Sequence, residues 1–155
     1  MTNLRSACKY FAIVAFAVAI WGGISASASA ASEIGKIKRL TGEANITRGD
    51  QVMPAELGAV VLLQDIIETG KEGGIGLLFV DNTRLSLGSN SRVTLDEYVY
   101  QSANKQGSFL AKLWRGTLGY LSGNIAKNSP GNVKIRTPLA TIGVRGTSFV
   151  ISLYD

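Results

Sequence analysis

The sequence predicts an all-β domain, a two-sheet sandwich or rolled sheet of about nine or ten short strands. Three observations carry that expectation. Apolar and polar residues alternate with a period of two in several segments, the pattern of a strand with one buried face. Glycine is dense, and of the 18 glycines only Gly22 and Gly23 precede residue 31; such density supplies tight turns and weakens helix interiors. Finally, no dozen-residue stretch after residue 30 combines convincing 3.6-residue apolar spacing with freedom from Pro and Gly.

The elements follow in chain order. Ala44 and Ile46 alternate with Asn45 and Thr47, and Leu85 and Leu87 with Arg84 and Ser86. Val133 and Ile135 alternate with Lys134 and Arg136, and Phe149, Ile151 and Leu153 with Ser148 and Ser152. Turn compositions lie between them: Arg48-Gly49-Asp50, Thr69-Gly70-Lys71-Glu72-Gly73-Gly74 and Asn104-Lys105-Gln106-Gly107. Asp81-Asn82-Thr83 stands between two apolar runs and reads as a hairpin tip, because Asp and Asn tolerate left-handed backbone and bond their own main chain. Pro130-Gly131 is expected to separate another strand pair.

The first 30 residues read as an export signal. Arg5 and Lys9 precede an unbroken apolar run at residues 10–20, and small residues follow up to Ala30. A short apolar core with small residues at −3 and −1 is what the signal peptidase recognises, so cleavage is expected after Ala30, with Ala28 the second choice. A membrane-spanning helix would need about 20 apolar residues. Cys8 is the only cysteine and lies ahead of the apolar run, so the mature chain holds no thiol and no disulfide. The remaining residues, 31–155, are enough for one domain.

Charge is unevenly spread. Residues 31–97 carry 7 basic and 10 acidic side chains, whereas residues 98–155 carry 7 basic and one acidic, the terminal Asp155. Two readings stand: a solvated β surface, or a basic face that meets an anionic envelope surface or an acidic partner. No interleaved basic and aromatic run points to nucleic acid.

Catalytic chemistry has little to stand on. The chain has no histidine, which excludes Ser-His-Asp and Cys-His catalysis and most zinc and copper sites. Asp96 and Glu97 are adjacent, so on a strand they take opposite faces. Asp50, Asp65 and Asp81 fall in turn contexts, where a carboxylate caps backbone N–H groups. No Asp-x-Asp-x-Asp-Gly run offers a calcium loop. Gly143-Val144-Arg145-Gly146-Thr147 lacks the spacing of a phosphate loop and fits a bulge or sheet corner. Arg145 is expected to tie loop carbonyls there; an exposed anion contact is the other reading.

The chain resembles a FecR-type domain, named after the periplasmic part of the ferric citrate signalling regulator. The resemblance runs from Ile34-Gly35-Lys36-Ile37 through Leu63-Gln64-Asp65-Ile66-Ile67-Glu68-Thr69-Gly70 and the hairpin Phe79-Val80-Asp81-Asn82-Thr83-Arg84. It includes Ser91-Arg92-Val93-Thr94-Leu95-Asp96-Glu97-Tyr98 and closes with Arg136-Thr137-Pro138-Leu139-Ala140-Thr141-Ile142-Gly143-Val144-Arg145-Gly146-Thr147. It implies a β-sandwich related to jelly rolls, outside the cytoplasm, without catalysis or cofactor, in iron-responsive signalling with an outer-membrane transporter. Asp65, Thr69, Gly70, Asp81, Asn82, Thr83, Gly143, Arg145, Gly146 and Thr147 are the motif positions, mainly structural; Asn82 stands where the family usually has Gly. No cytoplasmic segment is present to hold a sigma factor, so direct contact with one is not expected.

Two functions follow as expectations. The first is a binding or sensor module for an envelope protein. The second is a glycan- or peptidoglycan-binding module, with Trp114, Tyr98, Tyr100 and Tyr120 able to stack on sugar rings, although aromatic residues on strands are more often core. The last strand, expected at residues 147–154, is a candidate open edge where a partner adds a strand. The alternative is that the strand around Ile37 covers it.

Overall fold

A computed structural model describes residues 32–146 and 148–153. Twelve strands and one short helix follow one another: β1 (Glu33–Thr41), β2 (Ala44–Arg48), β3 (Gln51–Pro54), β4 (Val60–Leu62), β5 (Ile66–Thr69) and β6 (Gly74–Phe79). After these come β7 (Arg84–Leu87), β8 (Arg92–Gln101), β9 (Gln106–Leu121), α1 (Asn124–Asn128), β10 (Val133–Arg136), β11 (Thr141–Val144) and β12 (Ser148–Leu153). The architecture is the expected curled, nearly all-antiparallel β fold, with more strands than the spacing implied because several run for only three or four residues.

One strand belongs to both layers. The first half of β9 pairs with β8 and β10, and its second half, from Gly116 on, pairs with β7 and β12. One sheet therefore runs β4-β1-β6-β7-β9-β12, and the other β3-β2-β5-β8-β9-β10-β11. The switch falls at Gly116, where φ is +83° and an added Cβ would lie 2.5 Å from Ser91 Cα. Only glycine meets both demands. Ser91 fixes the bend: its Oγ accepts from Thr117 N at 2.9 Å and donates to Thr117 O at 3.1 Å.

Alternation decides the core. Leu85 and Leu87 of β7, Val93 and Leu95 of β8, and Phe109, Ala111 and Leu113 of β9 all face inward and are buried. Phe79 and Phe109 meet edge to face with centroids 5.1 Å apart, and Tyr120 stacks on Phe149 at 5.2 Å, carrying the aromatic line out to β12. Pro130-Gly131 does not sit inside a hairpin. It follows α1, and β10 returns parallel to β9, the crossover that a parallel pair requires. α1, too short for any periodicity to announce it, sinks Ile125 and Ala126 into the core.

Candidate functional site

The motif carboxylates are structural hubs. Asp81 is fully buried. Its Oδ1 accepts from Thr83 N (3.2 Å) and the Tyr98 hydroxyl (3.2 Å), and its Oδ2 from Thr83 Oγ1 (2.7 Å) and Ile125 N of α1 (3.2 Å). One side chain thus caps its own turn and also joins the β6–β7 hairpin to β8 and α1. Burial, and then the neighbouring Asp81 carboxylate, push the Tyr98 hydroxyl well above the ordinary tyrosine range. Asn82 follows at φ +66°. Asn82 N donates to Phe79 O and Phe79 N to Thr83 O, the three-residue hairpin with a left-handed bulge position. The ladder pairs Leu78 with Arg84 and Ile75 with Leu87, so Val80 belongs to the turn. Thr69, also buried, donates to Gly88 O at 2.6 Å and accepts from Ser91 N at 2.9 Å, while Gly70 N bonds Glu43 O.

Asp65 caps its turn, accepting from Leu62 N, and holds a cation as well. It is fully buried, and Arg48 grips it bidentately, Nε to Oδ1 at 2.8 Å and Nη2 to Oδ2 at 2.7 Å. The same pair reaches β4: Arg48 Nη2 donates to Val60 O at 3.0 Å and Leu62 N donates to Asp65 Oδ2 at 2.8 Å. The hydrogen bond to Asp65 raises the Arg48 guanidinium further above its ordinary value. Val60 and Leu62 lie two apart on β4, so these groups point the same way, and Arg48 and Asp65 occupy them as a neighbouring strand would. The sequence pattern puts Arg48 in a turn and gives no hint of this role. A basic residue 17 positions from a motif Asp carries no local signal.

The other ends of the sheets differ. β3 finishes on Pro54, which cannot donate to a further strand. β12 pairs with β9 alone among the described residues, and β1 pairs with β4 and β6, so the strand around Ile37 does not cover it. Gly88 N donates to Thr117 O. By the alternation of an antiparallel ladder, Thr117, Gly119 and Leu121 direct their main-chain groups to β7, and Leu118 and Tyr120 direct theirs to β12. Phe149 and Ile151 answer the latter pair. The N–H and C=O groups of Ser148, Val150 and Ser152 therefore face outward.

Side-chain burial agrees with that geometry. Inward-facing Leu85, Leu87, Leu118 and Tyr120 are all buried, whereas Phe149, Ile151 and Leu153 of β12 are only half-buried. Val150 on the outer face is 69% exposed. A shallow groove of about 470 Å³ runs beside it over Gly119 and Ser86 to Arg84.

Arg145 sits where the chain passes from β11 to β12. It is exposed, and among the described residues it makes no hydrogen bond or ion pair, the expected tie to loop carbonyls included. Gly146 beside it has φ +69° with nothing within 4 Å of where a Cβ would stand, and Gly143 lies in regular register opposite Lys134, with no bulge. The corner turns at the surface, which leaves the guanidinium in solvent. Thr147 and the cleavage position Ala30 lie outside the described residues.

The aromatic residues divide. Tyr120 is core, Tyr98 and Tyr100 are half-buried, and Trp114 is 46% exposed. Trp114 donates from Nε1 to Thr94 Oγ1 at 2.9 Å, with Lys112 Nζ 3.4 Å from the ring centroid. Among the described residues no group of three or more His, Cys, Asp or Glu side chains is placed to hold a metal ion, and no helix is long and apolar enough to cross a membrane.

Neither the curated proteins nor the solved structures give a match to this chain. A family model does match: the one described as FecR protein spans residues 65–155, more than half of the sequence, and takes in every motif position from Asp65 to Thr147. That family is linked to envelope signalling and is regulatory. By this match the chain belongs to the FecR family.

Proposed function

We propose that this protein is a non-catalytic binding module of the bacterial cell envelope, exported with removal of residues 1–30, which engages a protein partner by strand addition at β12 in iron-responsive or other envelope signalling. The observation that carries the reading is the unfinished state of β12. Its outward main-chain groups at Ser148, Val150 and Ser152 have no neighbouring strand among the described residues, and its inward Phe149, Ile151 and Leu153 are half-buried. Open edges are normally blunted because they attract other chains. The opposite edge of the same sheet is occupied by Arg48 and Asp65, whereas β12 contains no charge and no proline. An added strand would gain main-chain bonds and finish the burial of three apolar side chains, at roughly 1 kcal/mol for each half-buried one.

A photo-reactive side chain at position 148, irradiated in envelope preparations, tests this. Adducts should be polypeptide, and they should disappear when Val150→Pro is combined with the probe. That substitution removes an outward N–H and is tolerated on an edge. Adducts consisting only of wall glycan, or protein adducts indifferent to Val150→Pro, would sink the reading. The glycan alternative rests on exposed Trp114. Its ring is already covered by the Lys112 ammonium, a contact of about 0.5–1 kcal/mol at an exposed site that a sugar would have to displace.

A further inference from the structure

We infer that the open side of the sandwich is a two-edged acceptor, built for an acidic strand–loop–strand segment that adds one strand to β12 and a second to β11. The inference rests on the strand-addition reading above. β11 pairs only with β10 among the described residues. Thr137 N donates to Ala140 O at 2.8 Å and closes the β10–β11 hairpin, so the alternation of the ladder turns the main-chain groups of Ile142 toward β10 and those of Thr141 and Gly143 outward. Gly143 has nothing within 4 Å of where a Cβ would stand. Ile142, inward-facing next to buried Val144, is half-buried like Phe149 and Ile151. Both sheets thus end unfinished on the same side, since β10 and β12 flank β9 on the side away from β8 and β7.

The chain itself gives the geometry of the occupant. It leaves β11 at Val144 in one sheet and enters β12 at Ser148 in the other. A partner that follows the same change of layer needs two strands joined by a similarly short connection, their apolar faces turned toward each other and not hydrogen-bonded as a hairpin, because facing sheets lie about 10 Å apart. Charge selects its sign. Residues 122–153 hold Lys127, Lys134, Arg136 and Arg145 and no acidic side chain, and Arg145 is an exposed cation between the two edges. A second copy docked edge to edge about a two-fold axis would bring these cations against themselves, so charge favours a different, acidic chain over self-pairing.

The test uses the full chain and synthetic peptides: two segments of about six residues alternating valine with glutamate, joined by about five Gly and Ser residues, either segment alone, and the lysine counterpart. The joined glutamate peptide should bind at least about tenfold more tightly than one segment, because the second contact is intramolecular. It should slow amide exchange at Thr141 and Gly143 as well as at Ser148, Val150 and Ser152. Gly143→Pro should reduce the joined peptide to single-segment affinity, and Gly143→Glu, which keeps the N–H, should weaken it by charge. Equal binding of joined and single peptides, equal binding of the lysine peptide, or self-association of the protein that Gly143→Pro abolishes would overturn the inference. Protection confined to β12 would overturn it while leaving strand addition at β12 in place. Protection at neither edge would remove both.

Discussion

At the scale of single residues, the buried motif side chains Asp65, Thr69 and Asp81 satisfy main-chain donors. Asp81 accepts four hydrogen bonds on two oxygens, two of them from backbone N–H groups that cannot turn away. Asp81→Asn presents an NH2 group to one of those oxygens' donors, so it should cost about 1–3 kcal/mol in urea unfolding; an unchanged midpoint would show that the site relaxes freely. Asn82 holds φ +66° at an exposed position. Asn82→Gly should be neutral or slightly stabilising and Asn82→Val destabilising by about 1–2 kcal/mol, and equal stabilities would mean that the turn adapts to either residue. Tyr98 adds a pH signature. Its hydroxyl titrates above the ordinary value of about 10 in the folded state, so the unfolded chain loses the proton first. Stability from this group is complete below pH about 10 and falls as pH rises from there toward the folded-state value. Tyr98→Phe should lower stability at neutral pH and flatten the alkaline decline; a decline of the same slope would assign it to other groups, buried Tyr120 among them.

At the scale of elements, the two sides of the sandwich are treated differently. Arg48 and Asp65 seal β4, while β12 has no second neighbour among the described residues. Arg48→Ala leaves a buried carboxylate without its cation, a loss of about 1–3 kcal/mol once solvent access to the Arg48 side is allowed for. The double change Arg48→Met with Asp65→Leu removes both charges and should recover much of that stability. It should also expose Val60 O and Leu62 N and make the protein self-associate on sedimentation. A monomeric double variant would mean the pair is a salt bridge and nothing more. Strand positions were legible where alternation was clean: Leu85 and Leu87, Val133 and Ile135, and Phe149, Ile151 and Leu153 all sit on strands with those residues inward. The hairpin at Asn82 was legible because left-handed backbone has a chemical signature. Hidden from sequence were the Arg48–Asp65 pair, the parallel return of β10 and the surface setting of Arg145. Each depends on which distant strand lies alongside, and a period of two says nothing about that.

At the scale of the whole molecule, the fold depends on β9, which carries the pairing of both sheets through one bend. Thr69, Ser91 and Thr117 form a relay across that bend, linking β5, the turn before β8 and the second half of β9. Neither sheet can lose its share of β9 without exposing the common core, so the two layers should unfold together. Gly116→Ala tests this, because it strains the backbone at φ +83° and also drives a methyl group into Ser91. The conformational part is worth about 1–2 kcal/mol. Gly131→Ala, at φ +96° with nothing within 4 Å of the added carbon, isolates that part. Gly116→Ala should therefore lose clearly more stability than Gly131→Ala, by about 1–3 kcal/mol for a clash and broken hydrogen bonds at Ser91. Its urea transition should stay single, with fluorescence of Trp114 in one sheet and amide signals of β7 in the other changing at the same midpoint. Separate midpoints would mean that each sheet holds itself together and that β9 merely passes between them.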